Sequence, residues 1–73
     1  MGGRGFASRQ EAIQAAQDAM RATFGAKIRF EPFPPFEDRS FRVLDGNGHH
    51  LESFGVFQAD SGNWAWQGAS PQS

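Results

Sequence analysis

Apolar residues recur at helical spacing in one stretch of the chain and at alternate positions through most of the remainder. Ile13, Ala16, Met20 and Phe24 stand three or four residues apart and share one face of a helix predicted over Ser8–Phe24. Ala12, Ala19 and Thr23 flank that stripe, while Gln10, Gln14, Asp18 and Arg21 form a solvated face. Ser8 and Glu11 have the spacing of a capping box, in which the serine hydroxyl accepts from the N–H of Glu11. Gly25 supplies the left-handed residue that closes a helix.

After Gly25 the period falls to two. Ile28 and Phe30 alternate with Lys27, Arg29 and Glu31, the pattern of a half-buried strand. The segment Glu31–Phe36 holds three prolines in four positions, which cannot donate to a ladder and so predict an extended connection or a blunted edge. A second strand starts near Arg39, with Phe41 and Val43 on one face and Arg42 and Leu44 on the other. Asp45-Gly46-Asn47-Gly48 is a hairpin signal, and a third strand runs from about His50 to Gln58. Its phase is ambiguous, because Leu51 and Phe57 share one register and Phe54 and Val56 the other; a bulge at Gly55 would reconcile them. A second turn at Asp60–Asn63 leads to Trp64-Ala65-Trp66. The expected fold is α+β: one N-terminal helix on a three- to four-stranded antiparallel β-meander. Residues 1–7, rich in glycine, read as a flexible lead, 8–67 as the single domain and 68–73 as a flexible tail. The predicted core is Ile13, Ala16, Met20, Phe24, Ile28, Phe30, Phe41, Val43, Val56 and one or both tryptophans.

Composition sharpens this picture in one respect. Seventy-three residues without cysteine must fold without disulfides or thiolate metal sites. Eight phenylalanines and two tryptophans supply a dense aromatic core, with a surplus that a partner or a second copy, as in a homodimer, would cover. No apolar run reaches the length of a membrane span and the N-terminus lacks the apolar core of a signal peptide, so a cytoplasmic protein without membrane contact is expected.

Charge is unevenly spread. Up to Phe30 five basic residues face two acidic ones; from Glu31 onward two basic residues face six acidic ones, for a net charge of −1. That balance argues against a general nucleic-acid binder, whose affinity rests on many phosphate contacts. Arg29, Arg39 and Arg42 interleaved with phenylalanines nevertheless form the pattern with which sheets stack single-stranded bases. Glu31, Glu37, Asp38 and Glu52 are expected to weaken that field.

Reactive chemistry is sparse. His49 and His50, with Asp45 and Glu52 near, are adjacent residues whose side chains diverge in a strand, short of the three or four convergent ligands a metal needs. Ser40, Ser53 and Ser61 lie outside any nucleophile elbow. No cofactor, metal or catalytic residue is expected. The candidate partner-binding residues are Phe33 and Phe36 in the proline-stiffened loop, Arg39, Phe57, Trp64 and Trp66.

Three stretches carry a family likeness: Ser8-Arg-Gln-Glu-Ala12 opening the helix, Phe41-Arg-Val with Asp45-Gly46 in the turn, and Phe57-Gln-Ala-Asp60-Ser-Gly62 before the last strand. From Ser8 to Trp66 the chain resembles a PepSY-type domain. The resemblance implies one helix before a strand meander and a role as a small inhibitory or interaction module, a kind often found outside the cytoplasm. The proline-rich insertion with its two phenylalanines departs from that pattern. A non-enzymatic module that binds a larger protein through exposed aromatics and a sheet edge is therefore expected, with a nucleic-acid-binding sheet as the alternative.

Overall fold

The helix forms where its caps and its apolar stripe place it. In the computed structural model, which describes residues 1–69, α1 spans Arg9–Phe24. The hydroxyl of Ser8 accepts from the Glu11 N–H at 3.2 Å, and Gly25, at φ 100°, donates its N–H to the Arg21 carbonyl at 2.8 Å. Ala12, Ile13, Ala16 and Met20 are its buried residues. Two of the four are alanines, so the helix axis approaches the sheet closely and leaves the volume between them to large aromatic rings.

Five strands flank the helix in sequence: β1 Gly2–Phe6, β2 Arg29–Pro32, β3 Ser40–Leu44, β4 His50–Gln58 and β5 Trp64–Ala69. All neighbours are antiparallel, in the order β1-β5-β4-β3-β2. The α+β class stands, with two corrections. The sheet has five strands among the described residues, and the helix is the second element because Gly2–Phe6, expected as a flexible lead, pairs with β5. Gly68 and Ala69, expected in the tail, continue β5; residues 70–73 of that expected tail lie outside the described residues.

The β3–β4 and β4–β5 hairpins use the same turn. Asp45 donates to the His49 carbonyl and accepts from Gly48, while Ala59 donates to the Asn63 carbonyl and accepts from Gly62. In each the third loop residue is a glycine at positive φ, Gly48 at 86° and Gly62 at 92°, as a three-residue hairpin loop requires.

Cross-strand partners share a face, so the register divides the sheet. Phe30, Phe41, Val43, Phe54, Val56 and Trp66 face α1 and form the core with Ala12, Ile13, Ala16, Met20 and Ile28. Phe54 is its centre: its ring stacks on Phe41 at 5.2 Å and meets Phe30 and Trp66 edge-on at 6.0 and 6.3 Å. A phase switch at Gly55 leaves Phe54 out of the expected core, and this is corrected. The register is unbroken there and shifts instead between Val43 and Leu44, where Leu51 is the extra residue, so Leu51 joins the helix side. Phe24, expected inside, is 36% exposed at the end of the helix. The helix packs on β1, β5 and β4 and leaves the opposite face of the sheet without a second layer among the described residues.

Candidate functional site

The uncovered face has its own order. Three rows of side chains cross it: Arg4–Ala65–Phe57, then Gly2–Gln67–Gly55–Ser40, then Ala69–Ser53–Arg42–Glu31. The middle row has little bulk at Gly2, Gly55 and Ser40 and one long side chain, Gln67, between the two glycines; Gly55 and Ser40 leave a shallow trough across β4 and β3. A hollow of about 430 Å³ opens along it, lined by Phe36, Arg39, Ser40, Gly55, Phe57 and Ala69 among others.

Three phenylalanines border the trough. Phe57 projects from β4 and is 47% exposed. Phe33 continues β2 by donating its N–H to the Ser40 carbonyl at 2.9 Å and is 42% exposed; Phe36, 52% exposed, closes the hollow from the loop. Each loop ring carries a guanidinium on its face, Arg42 over Phe33 at 5.2 Å and Arg39 over Phe36 at 5.3 Å. The loop is held at its base by the Phe36 carbonyl, which accepts from Arg39 and Ser40, and from outside by Arg9, whose guanidinium donates to the Asp38 carbonyl.

The structure thus brings together Phe33, Phe36, Arg39 and Phe57 of the expected partner-binding residues and separates the tryptophans from them. Trp66 is 5% exposed beneath the helix, and Trp64 is half-buried against the same core. Alternation alone puts both rings on one face; that the face is the covered one follows only from the pairing of Trp66 with Val56 and Gly3.

The arginines of the nucleic-acid reading also gather on this side. Arg29 and Arg42 lie on the open face and Arg39 at its rim. Arg42 pairs with Glu31, its neighbour across the β2–β3 ladder, and its Nε is buried with no hydrogen-bond partner among the described residues. Arg39 lies 3.4 Å from Asp38.

Arg4, which sequence reasoning passes over inside the glycine-rich lead, sits opposite Ala65 on the same face. Of the acidic residues Glu31 lies on this face and Asp38 beside Arg39 at its rim. Glu52 is opposite Val43 on the helix side, Glu37 and Asp38 are in the loop, and Asp45 and Asp60 begin or occupy the turns. The strand residues of the open face therefore hold three arginines against one glutamate; Arg4 and Arg29 come from the basic first part of the chain, and the residues from Glu31 onward add one charge of each sign.

Two groups invite a chemical reading. His50 Nε2 and Ser53 Oγ are 2.8 Å apart on the exposed start of β4, yet no carboxylate hydrogen-bonds His50 among the described residues. His49 and Asp45 form a separate contact at 3.3 Å. Asp45 Oδ1 also accepts from the N–H groups of His49 and Asn47 at 2.9 and 2.8 Å. Its carboxyl pKa is lowered, chiefly by the hydrogen bond from the His49 backbone; desolvation opposes this, and the Asn47 backbone and the His49 side chain add to the lowering. The Asp45 contacts fit turn structure, and the His50–Ser53 pair lies within β4. No group of three or more His, Cys, Asp or Glu converges for a metal among the described residues, and no described helix is long and apolar enough to cross a membrane.

Comparison of the chain with family models, with curated proteins and with solved structures finds no match in any of the three. The class defined by fold and site is therefore a single-layer antiparallel sheet with one covering helix and an aromatic-rimmed open face.

Proposed function

We propose that the protein is a non-enzymatic interaction module that binds a larger protein across the open face of its sheet. One observation carries the reading: Phe33, Phe36 and Phe57, from two different segments, are exposed around a hollow whose centre, Gly55, carries no side chain. Exposed rings held by a braced loop and a central strand contribute contact area at small entropic cost on binding. The PepSY-type likeness points to the same kind of activity.

The test is affinity capture from the source organism with the wild-type protein and with Phe33→Ser/Phe36→Ser, both checked for native circular dichroism. Loss of the captured protein from the double variant is the expected result; undiminished capture rejects this face. A second reading, single-stranded nucleic acid held by Arg29, Arg39 and Arg42, gains from their position on the side of the phenylalanines. It predicts oligonucleotide binding that falls steeply with salt.

A further inference from the structure

Gly2 and Gly3 of the sheet are required by packing, Gly5 by its positive φ, and Gly55 by neither. A Cβ on Gly3 would come within 2.8 Å of the Trp66 indole nitrogen, one on Gly2 within 2.9 Å of the Trp66 carbonyl oxygen, and one on Gly68 within 2.5 Å of a Glu52 carboxylate oxygen. Gly55 is different. A Cβ there meets nothing closer than 3.7 Å, its φ is not positive, and the register on both sides of it is regular. Glycine within a central strand weakens it, and one that neither a bulge nor packing demands marks close approach by something outside the sheet. Gly55 lies in the middle of the trough.

The charges say what approaches. Arg4 and Arg42 stand on opposite sides of the trough, on strands three places apart and two rows apart. Strand and residue spacings put their backbones about 20 Å from one another, roughly six residues of extended chain. Between them the hollow beside Phe57, floored by Gly55 and walled by Phe36 and Ala69, has the size and apolar lining of a seat for one large side chain. We propose that the open face binds an extended acidic peptide segment of the partner, laid across the strands, with a large apolar residue seated beside Phe57 and carboxylates at Arg4 and Arg42. This rests on the reading of the open face as a binding surface and names its ligand chemistry.

Peptide fits better than nucleic acid on two counts. Three arginines provide few phosphate contacts for a nucleic-acid strand, whereas the carboxylates of a short acidic segment need only Arg4 and Arg42, the latter shared with Glu31. The rings of Phe33 and Phe36 already carry guanidinium groups, which leaves Phe57 as the ring without one for base stacking. A second copy laid face to face would set arginines against arginines.

A randomised dodecapeptide display library is selected on the immobilised full chain, and an enriched peptide is then synthesised with a fluorophore for anisotropy. Enriched sequences are expected to bracket a large apolar residue with Asp or Glu, and to bind more weakly as salt rises. Gly55→Val, which fills the trough with a strand-favouring side chain and keeps the fold, is expected to reduce binding at least about tenfold, as is Arg42→Gln. Enriched peptides without the acidic pair that Gly55→Val still blocks overturn the ligand chemistry and keep the face. Peptides indifferent to both Gly55→Val and Phe57→Ser, or no enrichment at all, overturn both. A labelled oligothymidylate that binds the same face and is displaced by Gly55→Val assigns it to nucleic acid instead. A dimer in sedimentation that Gly55→Val dissolves assigns it to a second copy.

Discussion

At the residue scale, two aromatic populations with the same composition have opposite duties. Phe54 and Trp66 are nearly inaccessible and touch the helix stripe, whereas Phe33, Phe36 and Phe57 keep around half of their surface in water. Truncating Trp66 to alanine is expected to cost about 3–5 kcal/mol, against a total of roughly 4–11 kcal/mol for a domain of this length. Phe33→Ser is expected to cost less than about 1 kcal/mol, the scale of an exposed cation–π contact. Chemical denaturation of the two variants checks the contrast.

The glycines separate the same way. Gly3→Ala drives a methyl into a buried indole that has no room to move and is expected to lower stability by about 1–3 kcal/mol. Gly55→Ala, whose methyl would make only ordinary contact with the Arg39 carbonyl at 3.7 Å, is expected to leave the melting temperature unchanged or raise it. Nothing in the sequence around Gly3 or Gly55 distinguishes them; only the strand on the other side of each does.

At the scale of elements, what is legible in the chain is local. The helix announces both of its ends, and Ser8→Ala is expected to remove about 1 kcal/mol by orphaning the Glu11 N–H. The two tight hairpins are legible from their glycines and polar tips. β1 is not, because Gly2, Gly3 and Gly5 have no strand preference of their own; the strand exists through pairing with residues some sixty positions later. The bulge is illegible for a related reason: Gly55 looks like a bulge, while Leu51, an ordinary apolar residue, is one because Val43 and Leu44 shift register against it.

The first tight turn adds a pH dependence. The carboxyl of Asp45 is stabilised as the anion in the folded hairpin, so its folded pKa lies below the ordinary 3.8. Its contribution is complete above that value and disappears as the pH falls through the lowered one. Amide exchange at Asn47 and His49 is expected to accelerate in that acid window relative to amides outside the turn, and Asp45→Asn is expected to abolish the step.

At the scale of the whole molecule, a single helix covers one face of a five-stranded sheet among the described residues, so the core lies on one side and the exposed phenylalanines on the other. Helix, core and charge totals are readable along the chain; the sign of the open face is not, because it depends on which acidic residues the register turns away. Glu52 shows the effect most plainly: one strand pairing sends it to the helix side, while Glu31 and Asp38 stay beside Arg42 and Arg39.

With that division, the open face can be rewritten without loss of the fold. The triple variant Phe33→Ser/Phe36→Ser/Phe57→Ser removes three large rings, all exposed and none in the core cluster. Its expected cost is no more than about 1.5 kcal/mol, the two cation–π contacts included. At about 4–8 °C per kcal/mol for a domain of this size, the melting temperature should fall by less than about 12 °C and the transition should stay cooperative. Phe54→Ala on the other side of the same sheet should by itself exceed that loss, at about 3–5 kcal/mol. Should the triple variant instead melt without a transition, the three rings would be part of the core and the open face would not be free to serve a partner.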